Sequence, residues 1–395
     1  MKLHKTQKVL FIGHGCHRTG APLLLREFLR FLTTNTNLIP HLLLLSDGPL
    51  AADYRALCKT DLIRARVSKN FAFASGIRSI SNCIISSLIG IRSKTQNDLY
   101  PLNEYPVVYS NTIASTRAVM DLYVPGRIII QHVHELSYAS EVLQVREILR
   151  ESVSKTYRFI AASAAVAKFL SDEIYVPADK IIVIHEFPVS TCRNTSLSAS
   201  HEIREKCGIS VGDSLIGMCG TPEWRKGVDL FIQLSRTLKE KQGGGKYHFI
   251  WVGGNKDQLL ESLHDIRLTG NESCIHFIGD VEFPIEYYRA MDLFALTSRE
   301  DPFPVAMLEA ASCGIPIVCF EHAGGAPEFV AQDSGRIVPY LDIQGMADAC
   351  EKLCSNNDLR KKLGLVGRKK VEVLYSPERQ MAKQLEVIQE ALNNI

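Results

Sequence analysis

Short apolar, β-prone runs recur along this chain, and segments long enough to be helices separate them. In the first half these runs are VLFIG near Val9, HLLLL near His41, VVYS at Val107, RIIIQHV at Arg127, YRFIAAS at Tyr157 and KIIVIHEF at Lys180. Apolar strands that alternate with helices are typical of parallel sheets covered on both faces. The first half is therefore predicted to be a doubly wound α/β domain.

A polar stretch, PVSTCRNTSLSAS from Pro188 to Ser200, interrupts the alternation and is interpreted as an interdomain linker. The alternation then restarts, with the runs SLIGMCG at Ser214, YHFIWVGG at Tyr247, IHFIGDV at Ile275, LFALTS at Leu293, IPIVCF at Ile315 and GRIVP at Gly335. We therefore predict an α/β fold of two Rossmann-like, doubly wound parallel-sheet domains, residues 1–190 and 191–375, which face each other across a cleft. Residues 376–395 are predicted to form a helix that returns to the N-terminal domain, because apolar side chains recur there at helical spacing.

Several motifs lie where predicted strands end, which is where open α/β sheets bind ligands. The first, GHGCHRTGAP from Gly13 to Pro22, matches neither the dinucleotide fingerprint nor a Walker loop. It is either a turn that lets a ligand approach the backbone, with Arg18 for an anion, or a loop that only needs positive φ.

The second motif, QHVHELSY, places His132, His134 and Glu135 at the end of a strand. A histidine there can donate to a sugar hydroxyl or to a developing charge. The alternatives are a structural histidine and a metal-binding pair. No third ligand is evident from the sequence, so no metal site is predicted.

The third motif, GTPEWRKGVDLF, brings Arg225 and Lys226 to Gly227 at the start of a predicted helix. The helix dipole and free N–H groups favour phosphate at such a position. The alternative is a solvated basic turn.

The fourth motif, TSREDPFPVAMLEAASCG, places Asp301 eight positions before Glu309, from a strand end into the next helix. Pro302 and Pro304 have no N–H, so backbone donation to a ligand must come from Phe303, Val305 and Ala306. FEHAGGAPEFV, from Phe320, follows with a second glycine turn.

Composition narrows the class of protein. With 395 residues, 46% hydrophobic and 22% charged, the chain is long enough for two globular domains. The eleven cysteines never form C-x-x-C, which indicates a reducing cytosol and no structural zinc. No apolar stretch approaches the roughly 20 residues of a membrane span, and no cleavable leader is evident.

The motifs RTGAP, SNT, HVHEL, WRKG, EDPFPVAMLEA and GGAPE follow one another between Lys8 and Leu392. In this order they resemble the GT-B-fold retaining glycosyltransferases of family 4, also called glycosyl transferases group 1. The resemblance implies transfer of a sugar, of hexosyl type, from a nucleotide diphosphate sugar to a hydroxyl with retention at the anomeric carbon.

The resemblance also implies roles for individual residues. The family's Glu-x7-Glu motif falls on Asp301, which would contact the donor sugar, and Glu309, which would bind the ribose hydroxyls. Lys226 would grip the diphosphate, with Arg225 replacing a family arginine whose position holds Thr221. His134 matches a histidine near the donor sugar. The implied donor-binding positions are Gly20, Ala21, Phe303, Pro304, Val305, Ala306 and Glu309.

The resemblance further implies a donor that is a UDP- or GDP-sugar, no other cofactor, and a saccharide or lipid-linked acceptor. The sequence has no D-x-D triplet, which is typical of a metal-independent transferase. Two alternatives stay open: a catalytically silent sugar-nucleotide-binding partner subunit, and a GT-B sugar-nucleotide epimerase.

The net charge of +2 conceals a basic front end, since residues 1–100 hold 14 Lys and Arg against 5 Asp and Glu. Residues 62–97 combine six of these cations with isoleucines near helical spacing. This pattern indicates either a helix on an anionic membrane surface or a core-facing helix. No nucleic-acid-binding module is evident. The predicted location is cytoplasmic, either free or at the inner face of the membrane.

Overall fold

The computed structural model describes residues 7–63, 100–191, 197–241, 247–255, 257–331 and 333–395. They form two compact units: unit 1 comprises Met1–Glu186 and Glu378–Ile395, and unit 2 comprises Phe187–Pro377. Apart from Leu62 and Ile63, the predicted membrane-facing segment 62–97 lies outside the described residues.

Unit 1 contains a seven-stranded parallel sheet with the strand order β3-β2-β1-β4-β5-β6-β7. The strands are β1 (Lys8–Gly13), β2 (Ile39–Leu44), β3 (Lys59–Leu62), β4 (Val107–Asn111), β5 (Ile128–Val133), β6 (Arg158–Ala161) and β7 (Ile181–Val183). All except β3 coincide with predicted runs. Strand β3, KTDL, is a short, mostly polar edge strand without the apolar signal of a buried one.

The described helices of unit 1 are α1 (Gly20–Asn35), α2 (Ala51–Leu57), α3 (Thr116–Leu122), α4 (Ser137–Val142), α5 (Arg146–Ser152), α6 (Ala164–Asp172) and the C-terminal helix α15 (Pro377–Asn393). Helix α1 buries Leu25, Phe28, Leu29 and Leu32 at helical spacing. Phe28 packs on Phe11 of β1, with ring centroids 6.2 Å apart. This packing fixes the start of α1 beside the end of β1.

Unit 2 contains a six-stranded parallel sheet with the strand order β10-β9-β8-β11-β12-β13. The strands are β8 (Ser214–Cys219), β9 (Tyr247–Val252), β10 (Ile275–Gly279), β11 (Leu293–Leu296), β12 (Ile317–Phe320) and β13 (Gly335–Val338). Every one lies within a predicted run, so the two parallel-sheet α/β folds are confirmed.

The described helices of unit 2 are α7 (Leu197–Lys206), α8 (Val228–Lys241), α9 (Leu260–Leu268), α10 (Pro284–Ala290), α11 (Val305–Ser312), α12 (Ala326–Val330), α13 (Ile343–Cys354) and α14 (Asn357–Leu374). Helix α7 begins inside the stretch Pro188–Ser200, so the linker prediction was too long. The Ser/Thr-rich composition concealed this helix because such residues favour caps and turns as well as linkers.

Each sheet has a topological switch point, at which the strand order reverses its direction. In unit 1 this point lies between β1 and β4, and in unit 2 between β8 and β11. Open α/β sheets bind ligands beside the carboxyl ends of strands at such points. Within the described parts of the chain, no helix is both long and apolar enough to cross a membrane.

Candidate functional site

The WRKG turn of unit 2 lies at the end of β8. Its Trp224–Lys226 segment is a short 3-10 helix, and Gly227 follows with φ +69°. A Cβ at Gly227 would lie 2.1 Å from the carbonyl oxygen of Thr297, so only glycine fits this close approach. The N–H of Arg299 donates to the carbonyl of Arg225 at 2.7 Å. The basic turn is thereby fixed against the loop after β11.

Lys226 and Asp301 form a buried ion pair at this position. Lys226 Nζ lies 2.5 Å from Asp301 Oδ2, and their side chains are 12% and 6% exposed. Ser298 Oγ donates to the same carboxylate oxygen at 3.2 Å. The lysine and the first acid of the motif, predicted separately from the sequence, are therefore direct neighbours.

The glycine turn after β12 closes on the backbone of Asp301. Asp301 donates its N–H to Ala323, and Gly325 donates to the Asp301 carbonyl. Gly324 has φ +122°, and a Cβ there would lie 1.9 Å from the Asp301 carbonyl oxygen. The GGAPE motif thus holds the Asp301 loop in place through its backbone.

Arg225 lies next to Lys226 and is surrounded by carboxylates. Burial lowers the pKa of its guanidinium, but the charges of Glu223, Asp301 and Glu300 outweigh this and raise it. Its Nη2 contacts Glu223 Oε1 at 3.4 Å. Arg225 and Lys226 therefore bring two positive charges to the switch point of unit 2.

Helix α11 begins directly after the loop that contains Asp301, with Pro304 as its N-cap. The N–H groups of Met307 and Leu308 donate back to the Pro304 carbonyl, whereas those of Val305 and Ala306 precede these bonds. The N-terminus of a helix favours an anion. Phe303 is buried, and its ring packs on Tyr375 at 5.5 Å between centroids.

Glu309 lies one turn further along α11 and is 6% exposed. Its Oε1 accepts from the Ser190 N–H at 3.0 Å, and its Oε2 accepts from the Tyr288 hydroxyl at 3.2 Å. Burial raises the pKa of Glu309 to about 7, and the hydrogen bonds from Ser190, Tyr288 and Val189 partly oppose the shift. This carboxyl group thus titrates near neutral pH.

His134 of unit 1 follows the end of β5. Its Nδ1 lies 2.5 Å from Glu186 Oε1, and its Nε2 lies 3.0 Å from Asn111 Oδ1. Burial lowers the pKa of His134, but the charge and hydrogen bond of Glu186, helped by Glu135, outweigh this and raise it.

His132, His134 and Glu186 hold donor atoms within 4.8 Å of one another. His132 Nε2 and Glu186 Oε2 are buried without a hydrogen-bond partner. However, the ring of His134 is hydrogen-bonded through both nitrogens, which leaves it no lone pair for a cation in this arrangement. We therefore assign no metal to these residues.

Gly20 and Ala21 lie in the first turn of α1, at the switch point of unit 1. The carbonyl of Ala21 accepts from Asn111 Nδ2 at 3.2 Å. The first backbone bond of this turn runs from the Leu23 N–H to the Thr19 carbonyl. The amides of Gly20 and Ala21 precede it.

Sequence reasoning did not assign roles to Glu186, Asn111 or Tyr288. Glu186 follows β7 and Asn111 ends β4, so both occur where polar residues follow apolar runs in KIIVIHEF and in VVYSNT. That signal was available for these two residues. Tyr288 lies on α10, and nothing local in the sequence points from it to Glu309.

Part of the chain matches a known protein family. Residues 213–356 match the family described as Glycosyl transferases group 1. The capsular polysaccharide biosynthesis glycosyltransferase CapM of Staphylococcus aureus is 27% identical over 180 residues, which are 45% of this chain and 47% of CapM. The amylovoran biosynthesis glycosyltransferase AmsK of Erwinia amylovora is 30% identical over 174 residues, 41% and 42% of the two chains. The chain thus spans less than half the length of these curated relatives.

Solved structures match over nearly the whole chain. Anabaena HepE, solved with UDP and glucose, has a TM-score of 0.75 at 19% identity, with 97% of this chain and 99% of HepE covered. WaaG, a glycosyltransferase involved in lipopolysaccharide biosynthesis, has a TM-score of 0.69 at 17% identity, with 94% and 98% covered. The two parallel-sheet folds are those of GT-B glycosyltransferases, and the resemblance to group 1 is confirmed.

Proposed function

We propose that this protein is a glycosyltransferase that moves a sugar from a nucleotide diphosphate sugar to a hydroxyl of a saccharide or lipid-linked acceptor, in polysaccharide or glycolipid biosynthesis. One observation carries the proposal. The buried Lys226–Asp301 pair and the buried Glu309 lie at the switch point of unit 2, inside the region that matches Glycosyl transferases group 1.

The diphosphate is proposed to bind at Lys226 and Arg225 and at the amides that open α11. These two cations are adjacent, and the Val305 and Ala306 amides precede the first intrahelical bonds. A diphosphate needs this combination of charge and N–H donors. Arg225 compensates for Thr221, since its positive charge is one position from Lys226.

The ribose is proposed to bind at Glu309, whose carboxylate can accept from two vicinal hydroxyls. Asp301 is proposed to contact the donor sugar, with Glu300 beside it. The contact between Asp301 and Lys226 supports a proposal in which the sugar and the diphosphate are bound next to each other.

The transfer is proposed to be retaining, of hexosyl type and metal-independent. The bond between the anomeric carbon and the diphosphate oxygen breaks, the acceptor oxygen bonds to the same face of the sugar, and the hydroxyl proton passes to the departing diphosphate. Negative charge then grows on the departing nucleoside diphosphate. Arg225, Lys226 and the start of α11 would stabilise it electrostatically.

The donor is proposed to be a UDP- or GDP-sugar and the acceptor a saccharide or a lipid-linked acceptor. HepE was solved with UDP-glucose, at a TM-score of 0.75. TarM of S. aureus was solved with UDP, Fondaparinux and alpha-GlcNAc-glycerol, at a TM-score of 0.57. The relatives are named as transferases, so neither a silent subunit nor an epimerase is favoured. We propose a cytoplasmic location, with the basic segment 62–97 contacting anionic membrane.

Calorimetric titration with UDP and GDP, combined with a screen of donor sugars for release of the nucleoside diphosphate, tests the proposal. We expect one nucleotide to bind at one site and at least one of its sugars to be consumed. Binding without turnover of any donor would contradict transfer and favour a silent binding protein.

A further inference from the structure

Four residues of unit 1 form a continuous hydrogen-bonded chain across the carboxyl ends of its strands. Glu186 Oε1 contacts His134 Nδ1 at 2.5 Å, and His134 Nε2 contacts Asn111 Oδ1 at 3.0 Å. Asn111 Nδ2 then donates to the carbonyl of Ala21 at 3.2 Å. The chain thus runs from the end of β7, past the ends of β5 and β4, to the first turn of α1.

Two hydrogen bonds indicate which ring nitrogens of His134 carry a proton. Asn111 must present Nδ2 to the Ala21 carbonyl, because the flipped amide would set two oxygens against each other. Its Oδ1 therefore accepts, and His134 Nε2 must carry a proton. An ionised Glu186 carboxylate accepts as well, and His134 Nδ1 then also carries a proton. A histidine with two N–H donors is an imidazolium.

The ionisable groups around His134 are consistent with a single buried positive charge, carried by its ring. The pKa of His132 lies well below its usual value because of burial and of the charge of His134, whose ring centroid is 3.9 Å away. Burial and the same charge lower the pKa of His14 to about 4. Glu135, which accepts from the Ile113 and His134 backbone amides, also faces the ring, and burial raises its pKa. Tyr109 bonds to His132 Nδ1.

We infer that Glu186 is a positioning residue: it holds His134 as an imidazolium and, through Asn111, fixes the Gly20–Ala21 turn at the start of α1. In this role His134 is not a general base, since it has no lone pair with which to take a proton. That the turn serves a donor or acceptor rests on the proposed function. The protonation of His134 and the anchoring of the turn do not.

The first test measures protonation directly. Histidine ring nitrogens are labelled with ¹⁵N, and His134 is assigned from the signals lost in His134→Gln. We expect both ring nitrogens of His134 to show imidazolium shifts at pH 7.5, a chosen value about one unit above the ordinary histidine pKa, while those of His132 show a neutral ring. In Glu186→Gln, which keeps an acceptor but removes the charge, His134 should titrate to the neutral form.

The matched control is Asp61→Asn. Asp61 is likewise paired with a histidine of unit 1, His41, whose other nitrogen contacts the Tyr105 hydroxyl. This substitution should leave the His134 signals unchanged. A neutral His134 in the wild-type protein at pH 7.5 would overturn the inference.

The second test measures the anchoring of the turn by amide hydrogen exchange of residues 19–25. Glu186→Gln should speed exchange there about tenfold, and Asp61→Asn should not. Equal exchange in all three proteins would contradict the positioning role. Binding of one equivalent of Zn²⁺ that displaces the His134 ring protons would instead make the trio a metal site.

Activity separates this inference from the proposed function. In Glu186→Gln, release of the nucleoside diphosphate from the UDP- or GDP-sugar that the wild type consumes should fall about tenfold. Binding of the free nucleotide should weaken less than turnover does, because most of its proposed contacts lie in unit 2. If the wild-type protein binds neither UDP nor GDP and consumes no sugar of either nucleotide, the proposed function loses support, yet the NMR and exchange results still decide the inference.

Discussion

At the scale of single residues, the site of unit 2 depends on charges that are buried in pairs. The Lys226–Asp301 contact combines a cation and an anion that the sequence presents 75 positions apart. Removing one partner of a buried pair is costly because the other is left uncompensated, whereas removing both can be nearly neutral. The effect of the pair on stability should therefore be measured with both residues substituted together as well as with one substituted alone.

We predict that Lys226→Gln destabilises unit 2 by about 3 kcal/mol and that adding Asp301→Asn restores most of this loss. Denaturation followed by tryptophan fluorescence measures the effect in unit 2 specifically, because both tryptophans, Trp224 and Trp251, lie there. Additive losses in the double variant would mean that the two charges do not interact.

Glu309 gives a second residue-level prediction, through pH. Its pKa is raised from 4.5 to about 7, so the folded state retains a proton that the unfolded state has released between these values. The contribution of Glu309 to the free energy of unfolding is therefore fully present at low pH and is lost as the pH rises towards 7.

Glu309→Gln should accordingly stabilise unit 2 at pH 8 by about 1–3 kcal/mol and change little at pH 4. Glu261→Gln, at an exposed position on α9, is the control. If the proposed ribose contact is right, the same variant weakens UDP binding at pH 8, despite its greater stability. A variant that is less stable than wild type at pH 8 would contradict the buried, charged carboxylate.

At the scale of elements, glycine turns hold the loops of the site together. Gly227 and Gly324 both have positive φ and both face a carbonyl oxygen at a distance that excludes a side chain. We predict that Gly324→Ala destabilises unit 2 by about 3 kcal/mol or more, from strain and overlap with Asp301.

Gly208→Ala is the matched control for this prediction. Gly208 also has positive φ, but no atom lies within 4 Å of its added Cβ. Gly208→Ala should lower the free energy of unfolding by only about 1 kcal/mol. The same tryptophan-monitored denaturation measures this loss. Equal losses at the two positions would show that contact with Asp301 contributes nothing.

The strands were largely predictable because buried parallel strands are continuous apolar runs, as in RIIIQHV and YHFIWV. Strand β3 and the start of α7 were not, because KTDL and LSASHEIREK carry little apolar signal. The positions of His134 and Asp301, each in a polar segment after an apolar run, were also predictable; their roles stay predictions. Glu186, the partner of His134, follows an apolar run as well, but no role was assigned to it. Tyr288, the partner of Glu309, was not predictable, because a hydrogen bond between distant segments leaves no local pattern.

At the scale of the whole molecule, two parallel-sheet units each carry a polar cluster at a switch point. Unit 2 holds the cations and carboxylates proposed to bind a nucleotide diphosphate sugar, and unit 1 holds a histidine that contacts Glu186 and Asn111 through its two ring nitrogens. The basic front end adds a charge asymmetry that composition alone reveals.

We predict that this asymmetry brings the protein to anionic membranes. Flotation with phosphatidylglycerol vesicles should recover the protein at about 50 mM salt and release it at about 500 mM, because salt screens such attraction. Arg78→Glu with Arg92→Glu should reduce recovery, and neutral vesicles serve as the control. Absence of binding at low salt would assign the basic segment to another role.

The most direct test of the central claim is a transfer assay with UDP- and GDP-sugars, in which release of the nucleoside diphosphate and the anomeric configuration of the product are followed by NMR. We predict that the wild-type protein consumes at least one donor with retention, and that Lys226→Gln lowers the rate at least about 100-fold, a loss of about 3 kcal/mol of transition-state stabilisation. Turnover that is unchanged in Lys226→Gln, or an inverted product, would contradict the account.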